Sequence, residues 1–211
     1  MLDPDASCYL CDNPVEFTCV KCQQHVCGRH GRIRILCTAC LEQARTKKEQ
    51  SKPTIEQASC DDVPILEHLV VQFWGNPVQL MFDQRLEVTE QPALVARING
   101  QITGFLFYRP FREAAVLIVA IGVLPRYQGC GVGQELLQHI EEYARSEGKR
   151  ELLVVTSNDN LPALAFYQRN GFQLFEVAPD VIAEKLGGLH LGIGSILIRD
   201  ELRLRKSLTT G

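Results

Sequence analysis

Gln128-Gly129-Cys130-Gly131-Val132-Gly133 is one of two stretches on which the reading of this chain turns, and Asn160-Leu161-Pro162-Ala163-Leu164-Ala165-Phe166-Tyr167-Gln168-Arg169-Asn170-Gly171-Phe172 is the other. The first follows the apolar run Ala115 to Val123, which is sized for a buried strand. It opens a segment ending near Ser146 in which Val132, Leu136, Leu137, Ile140 and Ala144 share one helical face, and Gly148 closes that helix. A glycine-rich turn at a helix N-terminus presents free N–H groups and the positive end of the helix dipole, which is what a phosphate needs. Gly131 and Gly133 let the backbone approach phosphate oxygens with no Cβ between. The second stretch reads as a helix capped by Asn160 that runs to about Asn170 and carries Tyr167.

Outward from these two, Glu151 to Thr156 is a strand, so the first stretch lies in a strand–loop–helix–strand unit. Upstream, Leu94 to Ile98 and Ile102 to Tyr108 flank Asn99-Gly100, a strong hairpin signal. Thr54 to Ala58 reads as a short strand. Cys60 to Trp74 reads as a helix with Asp61 or Asp62 as cap, Leu66, Leu69, Val70 and Phe73 at helical spacing, and Gly75-Asn76-Pro77 as its stop. Downstream, Phe172 to Val177 is a strand, and Arg199 to Lys206 alternates like an edge strand with charged outer positions. Between them the glycine-rich segment Pro179 to Ile198 reads as a mobile substrate loop or a partner contact. The fold class is α/β, with a mixed sheet.

Read as patterns, the two stretches are Q-x-x-G-x-G and N-x-x-A-x-x-F-Y-x-x-x-G-F. Over roughly residues 54 to 206 the chain resembles the GNAT superfamily of acetyl-CoA-dependent N-acyltransferases. The resemblance implies a mixed sheet splayed at the strand carrying Ala120 and Ile121, with acetyl-CoA (acyl-CoA) as co-substrate. It implies pantetheine lying as an added strand along Val119 to Val123. Cofactor contacts then fall at Ile121, Gly122, Val123, Gln128, Gly129, Cys130, Gly131, Val132, Gly133, Asn160 and Tyr167. A backbone N–H near Ile121 to Val123 would polarise the thioester carbonyl, and one such donor contributes about 3 kcal/mol. Tyr167 is the implied acid for the departing thiolate. Some relatives carry a glutamate base on the central strand, but Ala114 to Ile121 holds no carboxylate; Glu113 at its mouth is the nearby acid, and a water chain to bulk or a backbone carbonyl are the alternatives to it as base.

The first forty residues have a different chemistry. Of nine cysteines, seven lie between Cys8 and Cys40. With His30 they form four pairs, each with two residues between its members: Cys8 and Cys11, Cys19 and Cys22, Cys27 and His30, Cys37 and Cys40. Two such pairs complete a tetrahedron, so the eight ligands make two closed structural zinc sites with no position for a catalytic water. Crowded cysteines in a cytoplasmic chain favour metal over disulfides. Sequential pairing of the knuckles and interleaved pairing both satisfy the spacing. The spacing resembles B-box-type cross-brace zinc fingers, which implies the interleaved arrangement, although the last two ligands here are cysteines where that family has histidines. The domain reading is a zinc module over residues 1–41, a polar helical linker over 42–53 and the acyltransferase domain over 54–211.

The 211 residues carry a net charge of -3, so no global field draws the chain to nucleic acid or anionic membrane. No apolar run reaches the roughly 18 to 20 residues of a membrane span, and the N-terminus has no signal-peptide pattern. A cytoplasmic protein is expected. The functional expectation is an N-acyltransferase that moves an acetyl (acyl) group directly to an unidentified amine, small molecule or protein. The zinc module then has a structural role or contacts a protein partner. The rival expectation is a non-catalytic acyl-CoA sensor that signals through zinc-finger contacts.

Overall fold

The computed structural model describes residues 52–209, and before them only the backbone of a two-strand ladder, β1 (Phe17–Thr18) antiparallel to β2 (His25–Val26). The eight proposed zinc ligands, the linker and most of the proposed domain boundaries lie outside the described residues.

Seven strands form one sheet: β3 (Thr54–Gln57), β6 (Ala93–Ile98), β7 (Gln101–Phe111), β8 (Ala115–Val123), β9 (Glu151–Ser157), β10 (Gln173–Ala178) and β13 (Glu201–Ser207). Their spatial order is β10-β13-β9-β8-β7-β6-β3, and every neighbouring pair is antiparallel except β8 with β9. That parallel pair requires a crossover, and α2 (Val132–Ser146) supplies it. The hairpin between β6 and β7 turns at Asn99 (φ 52°) and Gly100 (φ 75°), the two positive φ values that a tight hairpin turn demands.

Helices cover both faces. On one, α2 buries Leu136, Leu137, Ile140 and Ala144 against Val116, Ile118, Leu152, Val154 and Leu204, joined by α3 (Leu161–Arg169). On the other, α1 (Val63–Trp74) brings Leu66, Leu69 and Val70 to Phe105, Phe107, Leu117 and Val119. Each fully buried Leu or Ile contributes about 1.5–3 kcal/mol, so the two apolar layers hold the sheet between them. A 3₁₀ turn over Cys60–Asp62 precedes α1. Within it the Asp62 carboxylate accepts from the Ser59 N–H and hydroxyl, both at 2.9 Å. Gly75 stops α1 at φ 72°.

Three sequence expectations change. Arg199 to Lys206 is not an edge strand: β13 lies between β10 and β9, and β10 is the edge. Glu201, Arg203 and Lys206 on β13 are paired rather than solvated, while Arg205 is exposed. Pro179 to Ile198 is not a plain loop but holds α4 (Val181–Leu186) and the short antiparallel pair β11 (His190–Leu191) and β12 (Leu197–Ile198). A hairpin of β4 (Val78–Met81) and β5 (Gln84–Glu87), turning at Phe82 (φ 49°) and Asp83 (φ 60°), fills the stretch after α1. Asp83 is the one turn-favouring residue there, and with Phe82 before it and no Gly or Asn the local signal is weak. Among the described residues no helix is long and apolar enough to cross a membrane, and no cluster of His, Cys, Asp and Glu is arranged to hold a metal.

Candidate active site

The site is a gap in the sheet. β8 and β9 pair from Ala115↔Glu151 to Ile118↔Val154 and then part. The β7–β8 register shifts between Phe107↔Ala120 and Tyr108↔Ile118, leaving Val119 as an extra residue in β8 at the point of parting. A bulge bends its strand and re-aims the backbone beyond it. Past the bulge, the Leu124 N–H donates to the Thr103 carbonyl at 2.9 Å. Antiparallel ladders alternate, so Gly122 directs its backbone groups at β7 while Ile121 and Val123 turn theirs into the gap. From that side the Gln128 side-chain amide donates to the Val123 carbonyl at 3.1 Å.

The loop from Gln128 to Gly131 bends back at Gly129 (φ 81°) and Gly131 (φ 84°), conformations that a side chain would strain. Gly131 is the N-cap of α2, and its carbonyl takes the N–H groups of Gln134 and Glu135 at 3.0 Å each. The N–H groups of Val132 and Gly133 precede the first intrahelical bond and are free for another acceptor. A Cβ on Gly133 would stand 3.0 Å from Phe166 Cζ, so its absence also lets α2 and α3 close on each other.

A cavity of about 1510 Å³ fills the gap, larger than the roughly 300–1,000 Å³ of a single small-ligand pocket. Ile121, Val123, Gln128, Gly129, Gly131, Val132, Gly133, Asn160 and Tyr167 all line it. Asn160 also serves as helix cap, its Oδ1 accepting the Ala163 N–H at 3.2 Å. Tyr167 is 5% exposed and packs edge-on against Phe172 at 5.5 Å. Burial, with nothing opposing it, pushes its phenol well above the ordinary tyrosine value, so the ring holds its proton at neutral pH.

Three site expectations are corrected. Gly122 lies on the other face of β8, where a Cβ would come within 2.5 Å of Phe105 Cζ; it is a packing position. Cys130 is buried in the core with Val132 and Leu136, and does not line the cavity. Glu113 is exposed in the β7–β8 turn at the opposite end of β8. The eight residue steps from it to Ile121 span about 26 Å, so it cannot reach the gap as a base.

Residues 63–172 match the family model of the acetyltransferase (GNAT) family. The chain belongs to the GNAT acetyltransferase family. It is an acetyl-CoA-dependent N-acetyltransferase. The uncharacterized protein YdhI of Bacillus subtilis is 30% identical over 152 residues, 67% of this chain and 92% of that protein. The solved structure of an IAA acetyltransferase from Bacillus cereus superposes with a TM-score of 0.61 at 25% identity, covering 74% of this chain and 99% of that one. A GNAT acetyltransferase from Elizabethkingia anophelis, solved with acetyl-CoA bound, has the same fold at a TM-score of 0.57 and 20% identity, over 74% of this chain and 97% of that one.

In this GNAT sheet the cavity has two halves. The loop–helix half, toward α2 and α3, ends at Tyr167. The other half opens toward α1, the β4–β5 hairpin and α4, and its walls include Trp74, Leu80, Met81, Lys185 and Glu201. Glu201 is the single carboxylate in the lining among the described residues, and sequence reasoning missed it. The signal that could have found it is Glu201 two residues before Arg203, a spacing that puts both on one face of a strand.

Proposed function

We propose that the loop–helix half of the cavity takes acetyl-CoA and that the acetyl group passes directly to an amine in the other half, with no covalent enzyme intermediate. The observation that carries this is the turning of the Ile121 and Val123 backbone groups into the gap on the line between the Gly129–Gly133 loop and Tyr167. The N–H groups of Gly131, Val132 and Gly133 hold the pyrophosphate, helped by the α2 dipole. Backbone groups of Ile121 and Val123 pair with the amides of pantetheine as an added strand would. The N–H of Ile121 faces the thioester oxygen, where negative charge develops. Tyr167, kept protonated by burial, donates to the departing sulfur.

Calorimetric titration of acetyl-CoA tests this reading. Saturable micromolar binding, lost in Gly131→Glu, is expected. Absence of binding in folded protein refutes it. No specific observation favours a non-catalytic sensor.

For the residues before the acyltransferase domain (54–211), the proposal is a two-zinc module over 1–41, joined through a linker over 42–53, that serves as a structural cap or recruits a protein partner. Its support is the four-pair spacing of Cys8, Cys11, Cys19, Cys22, Cys27, His30, Cys37 and Cys40. Metal analysis of purified protein should give two zinc ions per chain, and a metal-free folded chain would refute it. Reduced, metal-bound thiols fit a cytoplasmic protein on this reading.

A further inference from the structure

Glu201 stands opposite Ser157 of β9. Ser157 lies three residues past the parting of β9 from β8, and Ile121 lies three residues past it on β8. The carboxylate therefore stands within about one residue of the thioester position along the sheet, one strand beyond the gap, since the bulge at Val119 takes up one of the three β8 residues. It lies on the sheet face away from Tyr167, because the alternating neighbours Leu202 and Leu204 pack with α2 and α3. Its side chain is 0% exposed.

The hydrogen bonds of that carboxylate are unevenly filled. Oε1 accepts from the Phe82 N–H at 3.3 Å and from Arg203 Nε at 2.7 Å. Among the described residues, Oε2 accepts only from Lys185 Nζ, at 3.0 Å. Each carboxylate oxygen has about two lone-pair sites, so Oε1 is saturated and Oε2 has one to spare. The two cations are not equivalent. Arg203 is shared with Glu176 at 2.8 Å and Asp83 at 3.6 Å, so its charge is already matched by acids other than Glu201. Lys185 has no second acid partner among the described residues; its other contact is the Leu80 carbonyl at 3.4 Å. It sits on a flexible four-carbon stem and is the partner an incoming cation can replace. Around this pair the walls carry the apolar side chains Trp74, Val78, Leu80, Met81, Leu186 and Ile198, with the polar Asn76, Gln79 and Arg85 also in the lining.

We infer that Glu201 is the acceptor-recognition residue and that the acceptor is a primary alkylamine with an apolar body. It enters as the ammonium, donates to Oε2 in place of Lys185, and releases one proton to solvent before the nitrogen attacks; the C–S bond breaks as the C–N bond forms, the sulfur takes the Tyr167 proton, and the second nitrogen proton restores Tyr167. The inference rests on the cofactor reading proposed above. A buried, charge-assisted hydrogen bond makes the difference between a cationic and a neutral amine, while the apolar walls take the carbon body.

The test uses full-length, metal-loaded protein and follows thiol release from acetyl-CoA with hexylamine and phenethylamine, which are cations at neutral pH, and with aniline, which is not. Wild type should prefer the alkylamines. Glu201→Gln should lower alkylamine kcat/KM about 10- to 100-fold and leave aniline kcat/KM and the acetyl-CoA KM within about twofold. Lys185→Met should raise alkylamine kcat/KM, a sign that lost folding cannot produce. An equal fall for alkylamines and aniline in Glu201→Gln overturns the inference, and so does a fall for alkylamines in Lys185→Met. If wild type turns over no alkylamine while calorimetry shows acetyl-CoA bound, the acceptor class is wrong and the cofactor reading stands. If wild type binds no acetyl-CoA, both fall.

Discussion

Tyr167→Phe removes one oxygen from a ring that is 5% exposed and leaves its packing against Phe166 and Phe172 in place. Loss of a general acid costs 10²- to 10⁴-fold in rate. A thiolate leaves more readily than an alkoxide, because thiols ionise near pH 8.5, so the lower end applies and kcat should fall about 100-fold, or about 2.7 kcal/mol of barrier. Acetyl-CoA affinity should hold within about threefold, since the hydroxyl acts only as charge develops on sulfur. Stability at neutral pH should change by less than about 1 kcal/mol, because no strong hydrogen bond is lost. The alkaline limb gives a separate check. The unfolded phenol titrates near 10 and the folded one higher. Its contribution is therefore fully present below about pH 10. Above that pH the unfolded chain releases a proton that the folded chain keeps, and stability falls by up to about 1.4 kcal/mol per pH unit until the folded phenol titrates. Wild type should lose stability relative to Tyr167→Phe above pH 10 and run parallel to it below. Steady-state thiol release, calorimetry and thermal unfolding at pH 7.5 and 10.5 read all three. A kcat within threefold of wild type, or a fall in kcat matched by a fall in acetyl-CoA affinity, would refute the acid role.

Gly131→Glu should abolish acetyl-CoA binding in calorimetry while lowering Tm by only a few degrees. Its φ of 84° costs a side chain about 1 kcal/mol, but a carboxylate at the α2 N-terminus takes the phosphate's place. Gly122→Ala should do the reverse. The new Cβ meets Phe105 at 2.5 Å, and Phe105 is locked edge-on between Phe73 at 5.6 Å and Trp74 at 6.0 Å, so overpacking should cost about 1–3 kcal/mol in thermal unfolding with acetyl-CoA affinity nearly kept. Glu113→Ala should leave kcat within twofold of wild type at every pH, since the residue is exposed at the far end of β8; a lost basic limb in the pH–rate profile would restore it as base.

The parts of the fold legible in the sequence are those decided by local rules. The apolar run Ala115 to Val123 of β8, the amphipathic face of α2 and the Asn99-Gly100 turn each announce themselves within a dozen residues, and the structure puts the elements at those positions. Gly129, Gly131, Asn160 and Tyr167 are legible through the two motifs taken together and the family they resemble, since a glycine turn or a helix tyrosine alone says little, and all four line the cavity. Gly122 escapes local reading because strand parity past a bulge decides which way a residue faces, and Cys130 because it lies between the left-handed Gly129 and Gly131, in a turn that carries it into the core. The bulge at Val119 depends on β7 across the ladder, not on β8's own sequence. The β4–β5 hairpin escapes it because Phe82, no turn residue, adopts positive φ beside Asp83, and its N–H bonds to Glu201 more than a hundred positions away.

That long-range bond also explains why β13 reads as an edge. Glu201-Leu202-Arg203-Leu204 alternates as an exposed strand does, and nothing nearby tells a solvated charge from a paired one. The partners come from three other places in the fold: Lys185 on α4, Glu176 on β10 and Asp83 in the β4–β5 turn. A sheet interior does not need such a group. Replacing a buried ion cluster with packed apolar side chains is often neutral or stabilising, whereas removing one member alone costs several kcal/mol. Packing therefore does not account for a fully buried carboxylate between β10 and β9. Glu201 is the one carboxylate lining the cavity among the described residues, and it stands within about one residue of Ile121 along the sheet. The cost of burying Glu201 falls at the position where an acceptor amine has to be held, which is why the charge cluster reads as part of the acyl-transfer site and not as part of the sheet's stability.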